Sequence, residues 1–99
     1  MKKELLKIIN HYGIKPQLKY FQSEVFELNE AIIQYEIVYR DMCYSGEAIN
    51  SQRQHITEEF ADVMVMLKQF QYYYDIEEED IEAIMKKKID RQLKRMEEK

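Results

Sequence analysis

Residues 56–70 read ITEEFADVMVMLKQF, and this stretch decides the fold class. An α-helix turns about 100° per residue, so residues three and four apart share a face. With Glu59 set at zero, five apolar side chains fall within roughly 20° to 140°. They are Phe60, Val63, Met64, Leu67 and Phe70. Such a stripe is typical of a helix that buries one side, and we predict a helix here.

Carboxylates accompany the apolar stripe on this helix and on an earlier one. Residues 23–33 read SEVFELNEAII, with Glu24 bracketed by apolar residues and Glu27 at about 300° from it. On the later helix Asp62 lies at the same angle from Glu59. If the two helices pack through their apolar stripes, all four carboxylates converge on one pocket.

Converging carboxylates need a counter-charge, because burying even one unpaired carboxylate is very costly. A ligand set made only of oxygens favours a hard divalent ion, so we expect Mg²⁺, with Mn²⁺ as a possible substitute. The alternative is that the acidic residues form solvated helix faces, paired with Lys or Arg.

The composition favours a few long helices. The 99 residues are 45% hydrophobic and 34% charged and include two Gly and one Pro, too few for many tight turns. We predict a single all-α domain over residues 1–99 with four helices. The first three are expected at about 3–11, 16–40 and 51–73, the third starting at the capping-box sequence SQRQ of residues 51–54. The last helix is expected to start within YDIEEED at 74–80.

The charge distribution excludes some functions and suggests another. Residues 24–82 hold three basic and fifteen acidic residues, whereas residues 83–99 hold seven basic and three acidic ones. A broad basic face for nucleic acid is therefore not expected. No apolar run approaches a membrane span, no signal peptide is evident, and Cys43 is the only cysteine, so we expect a cytoplasmic protein. An acidic centre beside a basic tail suits a metal ion bound together with a phosphorylated ligand.

The two acidic segments carry a family resemblance. SEVFELNEAI followed by EEFADVMVML resembles the MazG-like branch of the all-α nucleotide pyrophosphohydrolases. That family has Glu-Glu-x-x-Glu on one helix and Glu-x-x-Asp on the next. Glu24 and Glu27 match the second and third Glu of the first motif, Glu59 and Asp62 match the second motif, and Ser23 replaces the first Glu.

The resemblance implies both a fold and an activity. The fold would be a four-helix MazG-like bundle whose core is completed by oligomerisation, as a homodimer or homotetramer. The activity would be Mg²⁺-dependent hydrolysis of a nucleoside triphosphate, NTP or dNTP, to the monophosphate and pyrophosphate. The metal ligands would be Glu24, Glu27, Glu59 and Asp62.

Further positions are predicted to serve the same reaction. Glu58, one turn before Asp62, is the candidate for orienting a water molecule. Tyr20, on the carboxylate side of its helix, is the candidate for contact with the base. The candidates for phosphate binding lie at i, i+3 and i+7 on the last helix and are Lys88, Arg91 and Arg95. The alternatives are a solvated Glu58 and a basic helix end that only complements the helix dipole.

Two other functional classes compete with the hydrolase. One is a non-catalytic helical interaction module that retains the fold, which the Ser23 replacement favours. The other is a di-iron carboxylate bundle, but that design uses Glu-x-x-His pairs and neither acidic segment contains one.

Overall fold

The protein is described by a computed structural model that covers residues 1–40 and 45–98, with side chains for 1–37 and 45–98. It has four α-helices and, in these residues, no strand, which confirms the all-α prediction. The helices are α1 (Lys2–Tyr12), α2 (Ile14–Gln34), α3 (Gly46–Tyr73) and α4 (Glu78–Glu97). None of them is long and apolar enough to cross a membrane.

Gly13 separates α1 from α2. Its φ of 92° lies in the left-handed region, where a side chain would be strained. Its N–H donates to the Ile9 carbonyl at 2.8 Å and so closes α1. α2 begins at Ile14, slightly earlier than predicted. Pro16 falls in its first turn, where a backbone N–H would have no acceptor within the helix, so proline breaks no hydrogen bond there.

The helical path continues beyond α2 as a π-helical segment, Tyr35–Arg40, so the predicted end near residue 40 agrees with the structure. The N–H of Tyr35 donates to the carbonyls of both Ala31 and Ile32, so the α-helical hydrogen bonding of α2 still reaches this residue. Residues 41–44 of the predicted loop, with Cys43, lie outside the described residues.

The predicted start of the third helix at Ser51 is wrong, because α3 begins five residues earlier, at Gly46. Ser45 is its N-cap, and the Ser45 Oγ accepts a hydrogen bond from the Ala48 N–H at 3.2 Å. A serine at that position satisfies an N–H that the first turn leaves free. Ser51 therefore lies inside the helix, and the predicted loop is shorter than its sequence DMCYSGEAIN suggested.

The core lies where α1, α2 and α3 pack together. Its buried apolar side chains are Leu5, Ile9, Ala31, Val63 and Met66. A buried hydrogen bond joins α2 to α3, with Gln17 Nε2 donating to Gln69 Oε1 at 2.8 Å. The rings of Phe21 and Phe70 meet edge to face, with centroids 5.2 Å apart. These contacts fix how the two acidic helices lie against each other.

A hydrogen-bonded turn sets the direction in which α4 leaves α3. Asp75 has a φ of 55°, and the Ile76 N–H donates to the Gln71 carbonyl at 2.9 Å. This is the Schellman arrangement that commonly ends helices. Glu78, in the first turn of α4, accepts from Lys68 Nζ at 3.0 Å and from Gln71 Nε2 at 2.9 Å.

Beyond that first turn α4 stands away from the other described helices. It packs against none of them and has no buried residue. The radius of gyration is 17.4 Å, whereas a compact chain of this length has about 13 Å. One chain therefore forms a three-helix body with a projecting fourth helix, and it does not close the predicted four-helix bundle by itself.

Candidate metal centre

Three of the predicted metal ligands meet in the structure. Glu24 and Glu27 lie one turn apart on α2, and Glu59 lies on α3 beside them. One carboxylate oxygen from each lies within 4.8 Å of the others. The i, i+3 spacing and the packing of α2 against α3 together produce this three-carboxylate cluster.

Two oxygens of the cluster are buried without a hydrogen-bond partner. They are Glu24 Oε2 and Glu59 Oε2. Glu24 is only 5% exposed, and the Tyr20 hydroxyl donates a hydrogen bond to its carboxylate. Buried carboxylate oxygens are almost always paired, because an unpaired one loses its water without compensation. Their oxygen-only chemistry and their convergence fit a hard divalent cation.

The electrostatics of Glu59 agree with a site that lacks positive charge. Burial raises the pKa of its carboxyl group first, and the negative charge of Glu27 raises it further. His55, whose Nε2 lies 4.0 Å from Glu59 Oε1, is the only basic group that opposes this pKa shift among the described residues. A bound cation would remove the repulsion between the carboxylates.

The raised pKa of Glu59 gives a pH-dependent stability that can be tested. The folded state binds this proton more tightly than the unfolded state, so metal-free protein loses stability as the pH rises from the ordinary carboxyl pKa through the raised one. Glu59→Gln cannot titrate, and we expect its stability relative to wild type to increase across that window and then level off. Urea unfolding in EDTA at a series of pH values measures this difference. Glu47→Gln, at an exposed position near the start of the same helix, should track wild type; a Glu59→Gln difference that does not change with pH would contradict the prediction.

Asp62, the fourth predicted ligand, lies outside the three-carboxylate cluster. It is exposed, and it lines a neighbouring cavity of about 550 Å³ together with Glu24 and Tyr20. Its negative charge contributes to the raised pKa of both Glu59 and Tyr20. Asp62 thus stands at the cavity side of the carboxylates.

The cavity also contains the predicted base-contact residue. Tyr20 is about half exposed, and its hydrogen bond to Glu24 is the main cause of its raised pKa. α1 supplies Ile8 and Tyr12 to the cavity wall. The cavity therefore joins apolar and aromatic surface to the edge of the carboxylate cluster.

The remaining predicted residues are not brought to the cluster by one chain. Glu58 is exposed on α3 and does not belong to the three-carboxylate cluster. The predicted phosphate-binding residues Lys88, Arg91 and Arg95 are exposed on α4, which packs against neither α2 nor α3. Their roles stay predictions.

Sequence reasoning missed the buried amide pair of the cavity. Gln17 is 7% exposed and Gln69 is 2% exposed, and both line the cavity wall. A signal was present, because Gln17 precedes Glu24 by seven residues and so lies on the same face of α2. A polar side chain on a buried face indicates a hydrogen-bond partner, and the partner of Gln17 is Gln69 on α3.

No family model, curated protein or solved structure matches the chain.

Proposed function

We propose that the protein is a Mg²⁺-dependent nucleoside triphosphate pyrophosphohydrolase of the MazG-like type, acting on an NTP or dNTP. The observation that carries the proposal is the buried, unpartnered Oε2 of Glu24, which lies in a cluster with Glu27 and Glu59. A cavity of about 550 Å³ adjoins Glu24 and offers space for the nucleoside.

The ligands for the ion would be Glu24, Glu27 and Glu59, with Asp62 at the cavity side. Mg²⁺ is usually coordinated by a few carboxylates and by substrate phosphates, and the three carboxylates here agree with that coordination. When bound, the ion neutralises the polyphosphate and makes the phosphorus more susceptible to attack by water. Mn²⁺ has the same preference for oxygen and would substitute.

The chain's own residues position the reactants. Tyr20 holds the Glu24 carboxylate through its hydroxyl and presents its ring to the cavity, where a base would lie. Glu58 is proposed to orient the attacking water, whose proton passes to the solvent. The water oxygen bonds to the α-phosphorus while the bond from that phosphorus to the bridging oxygen breaks, which leaves the monophosphate and pyrophosphate.

Phosphate binding by α4 requires assembly. Lys88, Arg91 and Arg95 are proposed to contact the phosphate groups, but α4 does not pack against the acidic helices of its own chain. We therefore propose that the active form is a homodimer or homotetramer, acting in the cytoplasm.

A second candidate is a non-catalytic helical interaction module. It is favoured by Ser23, which replaces one motif carboxylate, and by the large apolar side chains that α4 exposes. Such a module predicts no turnover and no metal-dependent change in stability.

Substrate turnover and metal binding separate the two candidates. We expect pyrophosphate release from one or a few members of a panel of canonical and modified NTPs and dNTPs with Mg²⁺, and none with EDTA. At a Mg²⁺ concentration ten times the Kd, binding should stabilise the fold by about 1.4 kcal/mol, which corresponds to a rise in Tm of roughly 6 to 11 °C. A folded protein without turnover and without a Mg²⁺-dependent change in Tm would reject the hydrolase and favour the interaction module.

A further inference from the structure

The cavity beside the carboxylate cluster has a different chemistry at each end. On α2, Gln17, Tyr20 and Glu24 follow one another at i, i+3 and i+7 and therefore share a face. On α3, Asp62 and Gln69 are likewise seven residues apart, and all five residues line the cavity. Because Gln17 bonds to Gln69, the two amides lie together at one end and the carboxylates of Glu24 and Asp62 lie at the other.

The distance between the two ends suits a nucleoside. Seven residues of helix rise about 10 Å, which is close to the length of a sugar with its base. The wall between the ends is apolar and aromatic, with Ile8 and Tyr12 from α1 and Val65 and Met66 from α3. Such walls accept a flat base by stacking and apolar contact. A triphosphate bound at the acidic end would therefore place the edge of its base at the amides.

The amide pair has hydrogen-bonding groups that the protein does not use. Each amide carries two N–H donors and an oxygen with two lone pairs. The bond from Gln17 Nε2 to Gln69 Oε1, at 2.8 Å, uses one donor and one lone pair. Gln69 Nε2 donates only to Met66 Sδ, at 3.8 Å, and a thioether is a weak acceptor. The Gln17 oxygen has no donor among the described residues.

This lack of partners is unusual for side chains so deeply buried. Gln17 is 7% exposed and Gln69 is 2% exposed. Buried polar groups are nearly always hydrogen-bonded, because an unpaired one loses its water without compensation. The pair holds α2 against α3 with one bond and leaves donors and an acceptor for a molecule in the cavity.

We propose that Gln17 and Gln69 hydrogen-bond to the edge of the base and determine which base the protein prefers, an inference that rests on the proposed function. The Watson–Crick edge of a base has donors beside acceptors, which an amide matches with its own donor and acceptor. A base with the wrong pattern leaves the buried amides unpaired and is rejected. Tyr20 cannot supply this selectivity by stacking, because every base has a π-face.

A double substitution tests the role of the amides. Gln17→Met/Gln69→Met removes both amides at nearly constant size and leaves neither without its partner. We expect the ratio of kcat/KM between the most and the least preferred base to fall by roughly 5- to 150-fold, the discrimination that one bidentate contact provides. The control, Gln22→Met/Gln54→Met, makes the same changes at exposed positions of the same two helices and should keep the wild-type ratio.

A purely structural role gives a different result. An equal reduction of kcat/KM for every base in Gln17→Met/Gln69→Met would show that the pair only holds α2 against α3, and would overturn the proposal. A wild-type protein with the same kcat/KM for every base would also overturn it and would leave the proposed activity intact. Circular dichroism shows whether the double variant is folded, and Gln17→Leu/Gln69→Leu replaces it if it is not.

Binding of free nucleosides separates base recognition from hydrolysis. Saturation-transfer NMR in EDTA, with the unphosphorylated nucleosides of the same panel, needs neither metal nor turnover. Wild type and the Gln22→Met/Gln54→Met control should prefer the same nucleoside, and Gln17→Met/Gln69→Met should lose that preference. If the protein hydrolyses no substrate, nucleoside binding that depends on the amides would still support the proposal. Neither nucleoside binding nor turnover in a folded wild-type protein would overturn it.

Discussion

Replacing Glu24 by Gln is expected to reduce Mg²⁺-dependent pyrophosphate release by at least about 100-fold. Changing a residue that only hydrogen-bonds to a metal ligand typically lowers activity about 10- to 100-fold, and Glu24 is itself a proposed ligand. The amide keeps the size of the side chain and can still accept the Tyr20 hydrogen bond, but it carries no negative charge for the ion. The structure makes Glu24 the most sensitive of the carboxylates, because it is buried and its Oε2 has no other partner. Steady-state release of pyrophosphate from the substrate found in the panel measures the effect.

The same variant distinguishes a metal ligand from a structural residue. Without metal, Glu24→Gln should be at least as stable as wild type, because it removes one charge from a cluster of like charges. It should also lose the Mg²⁺-dependent rise in Tm. Glu47→Gln, exposed near the start of α3, should retain both activity and the Tm response. Full activity in Glu24→Gln would show that the three-carboxylate cluster does not hold the catalytic ion.

Replacing Ile9 by Ala is expected to destabilise the protein by about 2 to 5 kcal/mol, as large-to-small changes in cores do. Ile9 is 0% exposed and is the residue through which α1 is most fully buried against the body. The loss combines the buried apolar area with the cavity that the smaller side chain leaves. For a domain of this size we expect Tm to fall by about 10 °C or more, measured by thermal unfolding in EDTA.

Ile8 gives a matched control for Ile9, because it is the same residue type on the same helix and 37% exposed. We expect Ile8→Ala to lower the free energy of unfolding by less than about 1 kcal/mol. Equal losses of unfolding free energy in Ile9→Ala and Ile8→Ala would show that burial of Ile9 does not hold α1 in place. A large loss of unfolding free energy in Ile9→Ala alone would confirm that the packing of α1 depends on this one buried side chain. α1 supplies Ile8 and Tyr12 to the cavity wall.

The sequence predicted most helix positions because the signals are local. Gly13, with its positive φ, ends α1, and α4 starts with the acidic residues Glu78, Glu79 and Asp80 in its first turn. The start of α3 was placed wrongly because the capping-box sequence at Ser51 was taken as the start of the helix. In the structure the cap is Ser45, whose Oγ accepts a hydrogen bond from the Ala48 N–H.

The sequence alone determined the all-α class and the pairing of acidic residues at i, i+3 on two apolar-striped helices, because both follow from periodicity along the chain. Only the tertiary structure decided which carboxylates meet, because that depends on the rotation of α2 against α3, which the Gln17–Gln69 and Phe21–Phe70 contacts set. This rotation brings Glu24, Glu27 and Glu59 together and leaves Asp62 at the cavity. The direction of α4 was likewise decided by a turn whose hydrogen bonds the helical pattern does not encode.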